Sequence, residues 1–180
     1  MTRNKRIDFM VKVGMFSAAA FVLQFIGSML QIKVAGFLEV EISDLPAIIL
    51  ALALGPWAGV LVELIKNILH TTMTSTGFVG EFANFVINGS AVFVCGLVYG
   101  RNKSKKGAVM SLAAMTITLV LVGFAANIYI MLPLYMKDAD FAARLGLAVS
   151  TIAPFNFCRG AVLSVITMII YKKISRLIKK

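Results

Sequence analysis

Apolar residues fall in six runs along the chain, at 9–30, 44–54, 57–72, 81–99, 108–135 and 145–171, separated by short polar or basic stretches. A bilayer core takes about 20 apolar residues per helical crossing, and four of the runs reach that length. The second and third are short. Joined, they would form one kinked helix and leave an odd number of crossings between the basic residues at either end of that stretch. Gly55-Pro56 supplies a break instead, because proline cannot continue a helix interior and glycine permits the tight turn. The pattern therefore predicts an all-α membrane protein, a six-transmembrane-helix bundle in one domain over residues 1–180. Ser43 is expected to cap the second helix, with Asp44 and Pro46 in its first turn.

Composition agrees with this reading. The 180 residues are 59% hydrophobic and 14% charged, with a mean hydropathy of +0.90, whereas a soluble domain carries roughly 25% charged residues. So many apolar runs leave no length for a soluble catalytic domain. The formal net charge of +10 would suggest nucleic acid in a soluble chain. Here thirteen of the eighteen cations lie in three clusters: Arg3, Lys5, Arg6 and Lys12; Arg101, Lys103, Lys105 and Lys106; and Lys172, Lys173, Arg176, Lys179 and Lys180. Positive loops stay inside, so both termini are expected in the cytoplasm, with anionic lipid rather than nucleic acid as the partner of the clusters. Glu39, Glu41, Asp44, Asp138 and Asp140 mark the opposite, outward loops. The first run is too long for a signal peptide and is read as a mature helix. The outer connection at 31–43 is either a lid over a cavity or a segment lying at the headgroups.

Polar side chains at membrane depth are costly and usually face a bundle interior or a cavity. Glu81, Asn84 and Asn88 share one face of the fourth helix; Asn127 stands near the outer end of the fifth; Asn156 and Arg159 share a face of the sixth, just after Pro154. Taken singly, each Asn could be interhelical glue. Together they suggest a cavity for a small polar, planar solute, since amides offer donors and acceptors. Phe78, Phe82, Phe85, Tyr129 and Phe155 are available as its walls or as ordinary packing. In the third helix, Glu63 and Lys66 are spaced to neutralise each other and His70 follows on the same face, as an internal ion pair or a proton relay. Cys95 and Cys158 fit no metal spacing and are expected to be packing residues. No cofactor or metal site is expected. The GRNKSKKG stretch at 100–107 lacks the ending of a phosphate-binding loop, and no hydrolase or metalloprotease motif is present. Gly14 and Ala18 form a small-xxx-small pair, either for packing within the chain or for docking a partner.

The order of these stretches resembles a known family. EISDLPAIILALALGPWAGVLVELIKN, GEFANF, NIYIMLPLY and PFNFCRG together look like the S components of energy-coupling factor vitamin transporters, most closely their riboflavin-specific members. The resemblance spans nearly the whole chain. It implies a plasma-membrane subunit of a prokaryote that captures riboflavin from outside, is not itself an enzyme, and works with a transmembrane coupling subunit and two cytoplasmic ATPases. It further implies that Asn127, Asn156 and Arg159 hold the polar ring edge of the flavin, that Glu81, Asn84, Phe85 and Asn88 line the same pocket, and that Gly14 and Ala18 dock the coupling subunit. Arg159 stands where the family pattern leads one to expect Lys; its bulkier, bidentate head also suits a phosphorylated flavin such as FMN. Thiamin or pantothenate is the competing ligand class, and an intramembrane enzyme centred on Glu63 and His70 the competing function.

Overall fold

The second and third helices part where the sequence breaks. Gly55 adopts φ +102°, a backbone conformation that L side chains rarely take, and Pro56 opens the next helix from its first position. The structure is a computed structural model that describes residues 3–30, 33–34, 38–39, 42–73 and 78–178. Its helices are α1 (Arg3–Leu30), α2 (Leu45–Leu54), α3 (Pro56–His70), α4 (Val79–Arg101), α5 (Lys105–Tyr135) and α6 (141–178). The last two start earlier than the apolar pattern indicates because polar residues cap them. Ser104 accepts from the Gly107 backbone N–H at 3.0 Å, and Asp140 from that of Ala143 at 2.8 Å.

Helices α1, α4, α5 and α6 are long and apolar enough to cross a membrane. Helix α2 has 10 residues and α3 has 15, which at a rise of 1.5 Å per residue span only about 15 and 22 Å. Shielding makes this tolerable. Helix α2 packs against α1, α3, α4 and α6, and Pro46, Ala47, Ile48, Leu50, Ala51 and Leu52 are all buried. The other five helices follow one another around it by the contacts α1–α3, α3–α4, α4–α5 and α5–α6. Helix α3 is amphipathic in the inverted sense of a membrane helix. Glu63, Lys66, Asn67 and His70 point inward, while Leu64, Ile68 and Leu69 are exposed.

Both long C-terminal helices contain a π turn, at Asn127–Met131 in α5 and Ala148–Ile152 in α6. One cause accounts for both. Pro133 and Pro154 each stand two residues past the turn, and the carbonyl four residues before each proline, on Tyr129 and Ser150, falls inside it. Proline offers that carbonyl no N–H and crowds it, and a widened turn relieves the clash. The two π turns face each other, and Ile128, Leu132, Ala148 and Ile152 form a small apolar cluster there with Phe155 against it.

Of the outer connection at 31–43, the described part is a two-residue antiparallel ladder in which Lys33–Val34 pairs with Leu38–Glu39. Most of the segment for which a lid was one reading lies outside the described residues.

Candidate functional site

Ser43 does not cap α2. Asp44 occupies the N-cap position without a side-chain capping bond, because its carboxylate is engaged elsewhere. One oxygen, Oδ1, accepts from Lys66 Nζ at 2.7 Å; the other, Oδ2, accepts from Arg159 Nη2 at 2.6 Å. Lys66 Nζ also lies 2.7 Å from Glu63 Oε2, so the expected Glu63–Lys66 pair is present and is extended across three helices. Among the described residues, two acids and two bases thus form a buried chain from α3 through the start of α2 to α6. Unpaired, each of these charges would be prohibitive at such depth. His70 stands outside this chain. Its Nδ1 is 3.1 Å from Glu81 Oε1, tying the end of α3 to the start of α4.

Asn88 and Asp44 line one narrow gap between helices, together with Ile48, Ala91, Val92, Met115, Leu119 and Leu163; it is too tight to hold a water molecule. Asn88 Nδ2 donates to Asn84 Oδ1 at 2.8 Å, while Asn88 Oδ1 is buried with no donor among the described residues. An orphaned buried acceptor is unusual, and Asn88 is also one of the residues that line the gap.

Asn127 opens the π turn of α5 and is 3% exposed; its Nδ2 donates to the Gly123 carbonyl at 2.7 Å. Asn156 sits two residues past Pro154 and is equally buried; its Nδ2 donates to the Ile152 carbonyl at 3.0 Å. Each amide spends one N–H on its own helix, which fixes its orientation and leaves the second N–H and the carbonyl face for a partner. Arg159 is three residues beyond Asn156 on the same face and half-buried, with its guanidinium against Asp44.

Of the residues singled out from the sequence, Asn88 and Arg159 converge on Asp44, Asn84 is bonded to Asn88, and Asn127 and Asn156 meet at Gly123. Glu81 turns to His70, and the half-buried Phe85 lies over Gly89 on its own helix. Phe78, Phe82 and Tyr129 are exposed, and the first two stack on each other with centroids 6.4 Å apart. Sequence reasoning assigned Asp44 to a helix start and passed over Gly123. The signal for Asp44 was an acid two residues before Pro46 in a chain whose last apolar run carries an Arg. Gly14 and Ala18 are exposed on α1, and nothing lies within 4 Å of where a Gly14 Cβ would be, so packing within the described chain does not explain them.

The chain is similar to known proteins along nearly its whole length. Residues 8–171 match the family described as "ECF transporter, substrate-specific component". The riboflavin transporter RibU of Staphylococcus aureus (strain TCH60) is 33% identical over all of this chain and 95% of its own length. The riboflavin transporter FmnP of Bacillus subtilis (strain 168) is 30% identical over 94% of this chain and 93% of its own. A solved structure described as "Structure and mechanism of the S component of a bacterial ECF transporter" superposes with a TM-score of 0.81 at 29% identity, covering 97% of this chain and 99% of that one. With the family pattern running through helices that also bring the buried amides and Arg159 together, the chain belongs to the substrate-specific components of ECF transporters.

Proposed function

We propose that this multi-pass protein of a prokaryotic plasma membrane captures riboflavin and delivers it for ATP-driven uptake. The observation that carries the proposal is the pair Asn127 and Asn156, both buried and oriented by their own helices, with Arg159 one turn beyond Asn156. The imide edge of a flavin presents acceptor, donor, acceptor, and two amides with a guanidinium match it. Asn88 Oδ1 is a further acceptor for a hydroxyl of the sugar-alcohol chain. The relatives named for riboflavin transport support the same ligand.

Asp44 favours riboflavin over FMN. A phosphate would seek an uncompensated cation, and here Arg159 and Lys66 are both matched by carboxylates. The narrow gap also requires the helices that line it to part before a tricyclic ring can be admitted, so binding is coupled to a change of shape. The chain carries no ATP-binding motif of its own. Two cytoplasmic ATPases supply the energy through a transmembrane coupling subunit, which docks on α1 at Gly14 and Ala18. The basic clusters support a topology with both termini in the cytoplasm.

The test is direct. The chain purified in detergent is expected to carry a yellow flavin band and, once stripped, to quench the fluorescence of added riboflavin. A colourless protein that quenches neither riboflavin nor FMN would move the substrate to another vitamin and leave the fold assignment standing.

A further inference from the structure

Glycine inside a transmembrane helix has a structural cause or none, and Gly123 has two contacts that meet at the same site. It lies in α5 one turn before Asn127, and its carbonyl accepts both the Asn127 side-chain amide, at 2.7 Å, and the Asn127 backbone N–H. Its other side faces α6. A Cβ built there would come 2.8 Å from Asn156 Nδ2, 3.1 Å from Cγ and 3.4 Å from Oδ1. Carbon atoms do not approach side-chain atoms that closely, so the Asn156 amide occupies the space that any other residue would fill. Nor can Asn156 step aside without loss: it is 3% exposed and its Nδ2 is held by the Ile152 carbonyl at 3.0 Å, in the π turn ahead of Pro154.

We infer that Gly123 is a positioning residue for substrate recognition: its carbonyl orients Asn127, and its missing side chain admits Asn156, so that one residue sets the spacing of the two amides. The inference rests on the reading of those amides as the flavin-edge contacts. Their spacing is what a planar ligand edge reads, and displacing a hydrogen-bonding group by a fraction of an ångström in a rigid site costs binding without removing any ligand contact. Most tight glycines elsewhere in the fold have a plainer role. Gly96 on α4, for instance, would put a Cβ 2.6 Å from the Pro56 Cα, a backbone contact that brings α3 and α4 together and touches neither amide.

Gly123→Ala and Asn156→Ala, singly and combined, separate these roles when riboflavin affinity is measured by fluorescence quenching and folding by thermal unfolding in detergent. Asn156→Ala alone is expected to weaken riboflavin by about tenfold, and Gly123→Ala alone by a similar factor. Combined, the two should cost no more than about twofold beyond Asn156→Ala, because the amide that a Cβ would displace is gone. The control Gly96→Ala is expected to lower the unfolding temperature and to change affinity equally in both backgrounds. Additive losses from Gly123→Ala and Asn156→Ala, or an unchanged affinity for Gly123→Ala, would overturn the positioning role while leaving the amide assignment intact. An unchanged affinity for Asn156→Ala would instead remove the amide assignment on which the inference rests. If Gly123→Ala alone fails to fold, Asn156→Ala must restore folding; failure in both backgrounds overturns the inference as well.

Discussion

Arg159 and Asp44 are 115 positions apart in the chain and meet at 2.6 Å, joining α6 to the N-cap residue of the innermost helix. The contact gives α2, too short to cross the apolar layer by itself, a polar anchor at one end. It also gives the guanidinium a fixed place within a turn of Asn156. Because Asp44 holds Lys66 through its second oxygen, the same carboxylate registers three helices against one another. Buried ion networks add little net stability relative to an apolar core, but breaking one strands a charge.

Asp44→Asn is accordingly expected to be strongly destabilising, by about 3–5 kcal/mol, because Lys66 and Arg159 both lose a buried carboxylate partner. Combining it with Arg159→Met should recover part of that loss, since one anion and one cation then remain on each side of the balance. Thermal unfolding of the three variants in detergent checks this. A double variant as unstable as the sum of the singles would show that Asp44 and Arg159 are not coupled.

Arg159 stands where lysine is the expectation for the family pattern, and the geometry makes the exchange mild. Asp44 is met by a single guanidinium nitrogen, Nη2, which an ammonium on a flexible stem can replace. Arg159→Lys should change riboflavin affinity by no more than about threefold, whereas Arg159→Met should weaken it by about tenfold or more, through the lost donor. Equal losses for the two would indicate that the planar, forked donor is itself required.

How far the fold and site could be read from the sequence differs by element. The break at Gly55-Pro56, the six helices and the pairing of Glu63 with Lys66 follow from local rules: proline geometry, apolar run length and i, i+3 spacing. The candidate residues Asn88, Asn127, Asn156 and Arg159 were visible because amides and an arginine are conspicuous in apolar runs. Asp44 was misread, since an acid at a helix start has a local explanation that hides a partner 115 residues away. Gly123 was invisible for the opposite reason: nothing in a sequence says which glycine faces an amide on another helix. The π turns fall between these cases. Pro133 and Pro154 mark where a helix must adjust, and only tertiary packing decides that it widens instead of ending.

Gly14 lies on an open face of α1, which also exposes Met10, Met15, Val22 and Met29, and a side chain there meets nothing within the described chain. Gly14→Leu is therefore expected to leave the unfolding temperature and riboflavin affinity of the isolated chain within experimental scatter. Co-purification with the coupling subunit should fall sharply, because a small-xxx-small face works by close helix approach. Retained assembly with the bulky residue in place would move the docking surface off this part of α1.

Pro154 has the most indirect effect of the positions considered. It has no backbone N–H to offer the Ser150 carbonyl, and the π turn at Ala148–Ile152 absorbs that mismatch, setting the rotation of everything that follows, Asn156 and Arg159 included. Alanine at 154 restores the missing donor and lets α6 regain ordinary α-helical spacing. Closing a π turn removes one residue from the register, so the helix beyond it rotates by roughly 100° relative to the segment before it. The expected result is a chain that unfolds at a lower temperature than the parent, since Arg159 turns away from Asp44, and binds riboflavin about tenfold or more weakly, since the amide no longer faces Gly123. Unchanged stability with unchanged affinity would mean that the opposing π turn of α5, packed directly against it, holds the widened geometry without help from the proline.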